Sequence, residues 1–482
     1  MMREHYPVMV PGLEGSSEPP AEVMSPFSAT VVAHVAQLDR AGLEHALARA
    51  ASLLGRSQQP APHQRAAHLR RISDLIYQRA EAFAVMIASE GGKPLVDARV
   101  EAGRAARTFA LCAEECVRIA GREVPMGGAP GSHGRLAFTR HEPIGVVLAY
   151  SAFNHPLNLL AHQIGPAYAA GCPVLIKPAP TTPVTCMALS ELIREAGVPE
   201  EWVIPIPCTN ELAGELVSDR RISLFSFIGS AQIGWLLRSR LAPGTRCLLE
   251  HGGAAPVLVD QGAELEETSR RLLKGAFYHA GQVCVSVQRV FAHRRIKDEL
   301  IECLKEGARS LTVGDPLDET TDVGPLIRAR EIDRINSWAE EADRAGAEIV
   351  CGGRALGNQC YSPTIIVDPP RSTKVMSEEV FGPVLSVVGA KTLDDAVTQA
   401  NQNRWNFQAG VFTNDIDHAL RAAGRLTASA VMINDHSAFR VDWMPFGGHA
   451  QSGLGMGGVE YAVRDMTREK LIVFNPSRSA DL

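Results

Sequence analysis

The chain has 482 residues, more than a single hydrophobic core accommodates, so two large domains with extensions are expected. Its 48 Lys and Arg against 54 Asp and Glu give a net charge of −6, within a composition of 45% apolar and 21% charged residues that is ordinary for a globular protein. There is no basic block and no apolar run of about 18 residues, which argues against a nucleic-acid partner, an anionic membrane surface and a membrane span.

The opening stretch, MMREHYPVMVPGLEGSSEPP, has no apolar signal core and reads as a loose leader, so a cytoplasmic location is expected. Residues 41–120 carry apolar side chains at three- and four-residue spacing, the period of amphipathic helices. Residues 121–142 turn Gly-rich and then extended, like a connector or an arm. From 143 onward short apolar strands alternate with helices: PIGVVLAYS, PVLIKPA, EWVIPIPC, RISLFSFIGS, TRCLLEHGG and APVLVD are the strands. That alternation predicts right-handed crossovers and a parallel, doubly wound α/β sheet, which binds ligands beyond the carboxyl ends of its strands. A second α/β stretch runs from about 260 to 450. The final segment, MTREKLIVFNPS, reads as a lone strand in need of a sheet, so pairing with a neighbouring subunit is expected.

Cys112, Cys116, Cys172, Cys186, Cys208, Cys247, Cys284, Cys303, Cys351 and Cys360 form no CxxC pair and no finger-like pattern with histidine. Buried small hydrophobes are the expectation for most of them, with no metal and no disulfide framework.

GLGMGG, residues 453–458, matches G-x-G-x-x-G but follows a loop and opens no βαβ unit, so it is not read as a dinucleotide fingerprint. FIGSAQIG, residues 227–234, is the better phosphate candidate. There a strand ends, Gly229 and Ser230 turn, and a helix N-terminus begins, although spacing alone does not separate this from a routine junction. Lys177 ends an apolar strand, where it either snorkels to solvent or reaches a ribose or phosphate. Glu250 ends CLLE before His251 and two glycines, either as a solvated acid or as a partly buried general base with a raised pKa. Asn154, at a strand-to-helix junction, suits helix capping or donation to an oxyanion. Cys284, in GQVCVSVQR, is a candidate nucleophile.

Taken together, PIGVVLAYSAFNHPLN, PVLIKPA, FSFIGSAQIG, LLEHGGAAPVLV, GQVCVSVQRV, VGDPLDETTDVGPLI, EEVFGPVLSV and MPFGG resemble the aldehyde dehydrogenase superfamily over nearly the whole chain. The resemblance implies an aldehyde dehydrogenase-like α/β fold in three parts. These are a Rossmann-type cofactor domain (1–120 and 143–252), an α/β catalytic domain (253–452) and a small β oligomerisation arm (121–142 and 463–482). It also implies NAD or NADP as cofactor and a homodimer or homotetramer. The implied roles are Cys284 as nucleophile, Asn154 and the Cys284 N–H as oxyanion donors, and Glu250 as the base for thioester hydrolysis. Lys177, Gly229, Ser230, Glu379 and Phe381 are the implied cofactor contacts.

The chain departs from the family pattern at four places. His251 replaces a leucine beside the base. Gly457 stands where many members carry a second acid. Pro180 replaces a Glu that binds the ribose 2′-hydroxyl, so nothing repels the 2′-phosphate of NADP. Val283 replaces an arginine found before the cysteine in relatives acting on anionic aldehydes. The flanks Phe153 and His155 are similar to the phosphonoacetaldehyde and lactaldehyde dehydrogenase-like branch. Arg104, Arg107, His155 and Arg440 are candidate holders of an anionic tail, and structural ion pairing is the alternative for Arg104 and Arg440. The first expectation is thus a small phosphonate aldehyde, placing the chain in phosphonate metabolism, and the second a small hydroxyaldehyde or semialdehyde. A CoA-acylating relative is disfavoured by Glu250. A non-catalytic homologue is disfavoured by the joint presence of Cys284, Asn154 and Glu250, with His251 and Gly457 counting for it.

Overall fold

The computed structural model describes residues 2–54 and 59–475. Its first sheet has six strands in the order Val203–Pro205, Val174–Lys177, Val146–Tyr150, Ile222–Ile228, Arg246–Glu250 and Gly453–Leu454. The first five run parallel, and Gly453–Leu454 adds antiparallel to the edge. Val146–Tyr150 and Val174–Lys177 are buried at every position, as a sheet covered by helices on both faces requires. The chain enters at Val146–Tyr150, builds outward to Val203–Pro205, then returns to place Ile222–Ile228 on the other side of its starting strand. The strand order reverses there, so the crevice opens between the carboxyl ends of Val146–Tyr150 and Ile222–Ile228. Those ends lead directly into Asn154 and into Gly229 and Ser230.

The helices read from spacing are present as Arg40–Ala51, Pro62–Gln78, Ala80–Gly91 and Leu95–Cys116. Asp39 caps the first, its carboxylate accepting from the Gly42 N–H at 2.8 Å. The core beside the first sheet also takes Val459, Val463 and Met466 from the region of the helix Val459–Asp465. Late chain thus returns to this sheet, beyond the span 143–252 expected for it.

The second sheet has seven strands in the order Glu348–Cys351, Thr364–Val367, Val384–Ala390, Val287–His293, Ala255–Val259, Gln408–Phe412 and Ala430–Ile433. All neighbours are parallel except the edge pair Glu348–Cys351 and Thr364–Val367. Residues 251–254 carry the chain from the carboxyl end of Arg246–Glu250 to the amino end of Ala255–Val259. The carboxyl edge of one sheet therefore faces the amino edge of the other, and the site forms in that seam.

Two expectations are corrected. The opening segment is not a loose leader. His5–Tyr6 pairs in parallel with Val31–Val35, which also pairs with Ala21–Met24, and Tyr6, Met9 and Val10 are buried. Its apolar residues are too scattered to form a recognisable run, yet Tyr6, Val8, Met9, Val10 and Leu13 pack against the core. Nor is the C-terminal strand alone within its own chain. Thr467–Phe474 pairs antiparallel along its full length with Leu136–Pro143, in the register Thr467↔Pro143 to Phe474↔Leu136. The partner strand is more than 300 residues away, so local sequence could not reveal it. The part of the expected arm at 476–482 lies outside the described residues. Among the described residues no helix is long and apolar enough to cross a membrane.

Candidate active site

A cavity of about 1300 Å³ fills the seam. Its walls include Asn154, His155, Lys177, Gly229, Ser230, Glu250, Cys284, Glu379, Phe381, Arg104 and Arg440. Of the sequence candidates only Arg107 is left out: it is exposed, with its guanidinium 5.9 Å from the centre of the Trp443 ring.

Cys284 sits in a turn between the 3-10 helix Tyr278–Gly281 and the strand Val287–His293. Beneath the turn lies a small apolar cluster of Val283, Val285, Phe407 and Phe446. Gln282 fixes the turn from its other side. Its side-chain amide donates toward the carbonyls of His279 and Pro325, and its side-chain oxygen accepts the Ile327 N–H at 3.0 Å. The Gln282 carbonyl in turn accepts a 2.9 Å hydrogen bond from the Asn154 side-chain amide. That contact ties the junction of the first sheet to the cysteine turn of the second. A primary amide carries two N–H donors, so this bond uses one of the two that Asn154 has. The Cys284 backbone N–H lies against its own sulfur.

Burial pushes the Cys284 thiol up to about 12, with Arg440 opposing the rise and Glu250 and Glu379 adding to it. That direction favours the thiol over the thiolate in the free protein. Glu250 is raised by burial and lowered by Arg440. Its carboxylate lies over Gly457, where an added Cβ would stand 2.6 Å from Oε1. His251 does not contribute to that shift. Its ring turns to the first sheet, with Nδ1 3.0 Å from the Gly229 carbonyl and the ring edge-on to Phe227 and Trp235. Gly234 accommodates it, because a Cβ there would be 2.0 Å from the imidazole.

Glu379 is raised to about 8 by burial, and its Oε1 is buried without a hydrogen-bond partner. Its carboxylate occupies the space over Gly252, where a Cβ would be 1.4 Å from Oε1. Phe381 adopts a left-handed φ of 47° and meets Phe153 edge to face at 5.9 Å. Lys177 points into the crevice with its ammonium 3.3 Å from the Asn210 side-chain oxygen, and Ser230 precedes the helix Ala231–Arg238 without capping it.

The cationic end of the cavity is built around Asp442. This buried carboxylate takes a two-pronged contact from Arg104 at 2.8 and 3.2 Å. It also accepts from the Asn158 amide at 3.1 Å and lies 3.0 Å from His162 Nε2. Those contacts hold it well below the usual carboxylate range despite burial. Arg440 has no carboxylate partner among the described residues. It packs over the Phe446 ring at 3.6 Å, approaches His162 at 3.3 Å, and leaves its buried Nε unpaired. His155 lines the cavity 3.1 Å from the Tyr278 hydroxyl. Burial first, and then the nearby charges of Lys93, Arg104 and Arg440, lower its pKa well below the usual imidazole range.

The sequence reading missed Gln282, Asp442 and the gap at Gly252. Gln282 was legible as part of the cysteine motif. Asp442 was not, because a carboxylate in a loop declares no partner. No group of His, Cys, Asp and Glu able to hold a metal occurs among the described residues.

Residues 13–472 match the model of the aldehyde dehydrogenase family. The chain belongs to this family. Over 473 residues it is 38% identical to the 3-sulfolactaldehyde dehydrogenase of Priestia aryabhattai, covering 98% of both chains. It is 34% identical over 461 residues to the lactaldehyde dehydrogenase of Methanocaldococcus jannaschii, covering 94% of this chain and 97% of that one. Among solved structures, the glyceraldehyde-3-phosphate dehydrogenase GapN of Methanocaldococcus jannaschii, complexed with NADP, superposes with a TM-score of 0.90 at 33% identity, covering 95% of this chain and 99% of that one. The protein is an aldehyde dehydrogenase family oxidoreductase, and its relatives include lactaldehyde and sulfolactaldehyde dehydrogenases.

Proposed function

We propose that the chain oxidises a short aldehyde with an anionic tail to its carboxylate, using NAD or NADP. The observation that carries this reading is the meeting of Cys284, Asn154 and Glu250 in one cavity with Arg440, a guanidinium without a carboxylate partner among the described residues. A nicotinamide dinucleotide fits the residues present. The orphaned Glu379 oxygen is placed to accept from ribose hydroxyls, Ser230 and its helix N-terminus suit the pyrophosphate, and Lys177 suits the adenosine ribose. Pro180 leaves room for a 2′-phosphate. When bound, the cofactor supplies the hydride acceptor.

The protein's own part is as follows. The Cys284 sulfur adds to the aldehyde carbon while its proton passes to a base. The oxygen that becomes negative is held by the free Asn154 N–H and the Cys284 N–H. With the hydride gone, the acyl group is a thioester on Cys284. Glu250 takes a proton from water as its oxygen attacks the thioester carbon, the C–S bond breaks, the acid leaves, and the proton held by Glu250 returns to the sulfur to restore the thiol.

One unpaired guanidinium suits a tail of one negative charge. A sulfonate meets that condition, in keeping with the Priestia relative, as does a carboxylate. A phosphonate dianion would need a second free cation, and Arg104 is committed to Asp442. A neutral hydroxyaldehyde is the second reading, favoured by the Methanocaldococcus relative at 34% identity. The deciding experiment follows reduced nicotinamide by absorbance while crossing NAD and NADP with sulfonate, phosphonate, carboxylate and neutral aldehydes. Higher kcat/KM for singly charged tails is expected. Preference for the neutral aldehyde would transfer the assignment to the second reading, and no turnover with any would leave only a non-catalytic role. A homodimer or homotetramer is proposed from the ribbon of Leu136–Pro143 and Thr467–Phe474, whose Leu136, Leu471, Val473 and Phe474 are exposed.

A further inference from the structure

A second cavity, of about 260 Å³, adjoins the active site behind the segment that carries Glu379. Glu378 and Arg404 line both cavities, and Arg289, Arg371, Gln399 and Gln402 complete the donor-rich wall of the second. Its charges do not balance: three guanidiniums face one carboxylate, and that carboxylate, Glu378, already pairs with Arg404.

Arg289 is the unusual member. It projects from the strand Val287–His293 and is 2% exposed. All its recorded donors go to neutral backbone carbonyls, Nε to Ala254 at 2.8 Å and both Nη groups to Ala400 at 3.4 Å. Neither Arg289 nor Arg371 has a carboxylate partner among the described residues. A buried charge without a counter-charge is costly. Burial and the Arg371 charge both oppose ionisation of Arg289, yet a guanidinium stays charged in proteins. An anion in the cavity would relieve that cost. The fork-shaped donors of several arginines on one small cavity suit a multiply charged oxyanion such as phosphate, and Gln399 and Gln402 add amide donors to its wall.

We propose that the cavity lined by Arg289, Arg371, Arg404 and Gln402 is a binding site for a phosphate-class oxyanion, either free phosphate or the phosphoryl group of a small monoester. It is separate from the aldehyde pocket, and it needs no assumption about the aldehyde. Its ligand sits one residue along the chain from Glu379, on the backbone that Gln288 pins by accepting the Val380 N–H and donating to the Val375 and Glu378 carbonyls.

The test is calorimetric titration of the full-length protein saturated with NADP, in an Arg440→Gln background, so that neither the cofactor site nor the active-site cation takes up phosphate. Orthophosphate and methyl phosphate are titrated separately at constant ionic strength, with chloride as reference. Saturable binding of one or both is expected, and the tighter of the two identifies the free ion or the ester as the natural form. Arg371→Ala removes an exposed cation, and Gln402→Glu puts a carboxylate at the mouth. Each is expected to weaken binding by about tenfold or more. Absence of saturable binding, or binding unchanged in both variants, overturns the proposal.

Discussion

The carboxylate of Glu250 fills the space that a side chain on Gly457 would take: a Cβ on residue 457 would stand 2.6 Å from Glu250 Oε1. The missing side chain at 457 is therefore the room in which the base rests. Gly457→Ala is expected to displace the carboxylate and slow thioester hydrolysis more than acyl formation. The same Cβ would also stand 2.6 Å from the Phe446 carbonyl, so a lower Tm is expected too. Rapid-mixing kinetics should show a burst of reduced cofactor followed by a slow steady state. In Glu250→Gln the steady state should fall by about 10²–10⁴. A Gly457→Ala enzyme with unchanged deacylation would refute the role of this gap.

Arg440→Gln should separate substrates by charge. Loss of a charge-assisted hydrogen bond, worth about 1.5–3 kcal/mol, raises KM for an anionic aldehyde by roughly 10- to 150-fold. Neutral aldehydes should be nearly indifferent. Equal losses for both would mean that Arg440 acts on the reaction centre and not on the tail.

Glu379 makes cofactor binding sensitive to pH. The acid is raised to about 8 in the free protein, so below that pH it is mostly protonated and has lost acceptor strength. Ribose hydroxyls bind the ionised form better. The dissociation constant of the cofactor should therefore fall as pH rises through about 8 and then level, with proton release on binding. Fluorescence titration between pH 6.5 and 9.5, in steps of about half a unit, reads this. Glu379→Gln should flatten the profile.

Cys284 offers a direct readout of its environment. Since burial raises its thiol to about 12, alkylation by iodoacetamide without cofactor should be slow at neutral pH and climb through pH 10 without a plateau. A plateau near pH 8 would show that the resting thiol is already activated.

Asn154→Ala removes both an oxyanion donor and the 2.9 Å bond to the Gln282 carbonyl. A loss in kcat of about 10²–10³ is expected from the first effect alone. Asn154→Asp keeps the shape but carries no N–H, and should be at least as damaging if donation to the oxyanion is the role.

Much of this site was legible in the sequence because its chemistry is concentrated in short motifs at strand ends. GQVCVSVQR, CLLEHGG, AFNHPLN and EEVFGP each place one reactive group beside residues that shape its turn. What was not legible depends on distant chain. Arg104 and Arg440 look alike as sequence, and only Asp442, which claims the first, distinguishes them. The sequence does not show that His155 is buried near Lys93, Arg104 and Arg440, which disfavours its charged form. The pairing of Leu136–Pro143 with Thr467–Phe474, and the anchoring of Tyr6, are likewise matters of tertiary proximity with no local signal.

The bond from Asn154 to the Gln282 carbonyl has a wider consequence. It joins the halves of the oxyanion site across a boundary between two independently wound sheets, and each sheet alone holds an incomplete set of reacting groups. A substitution that slackens this boundary can silence the enzyme while leaving both cores packed. Catalytic rate is then a finer gauge of inter-sheet registration than thermal stability.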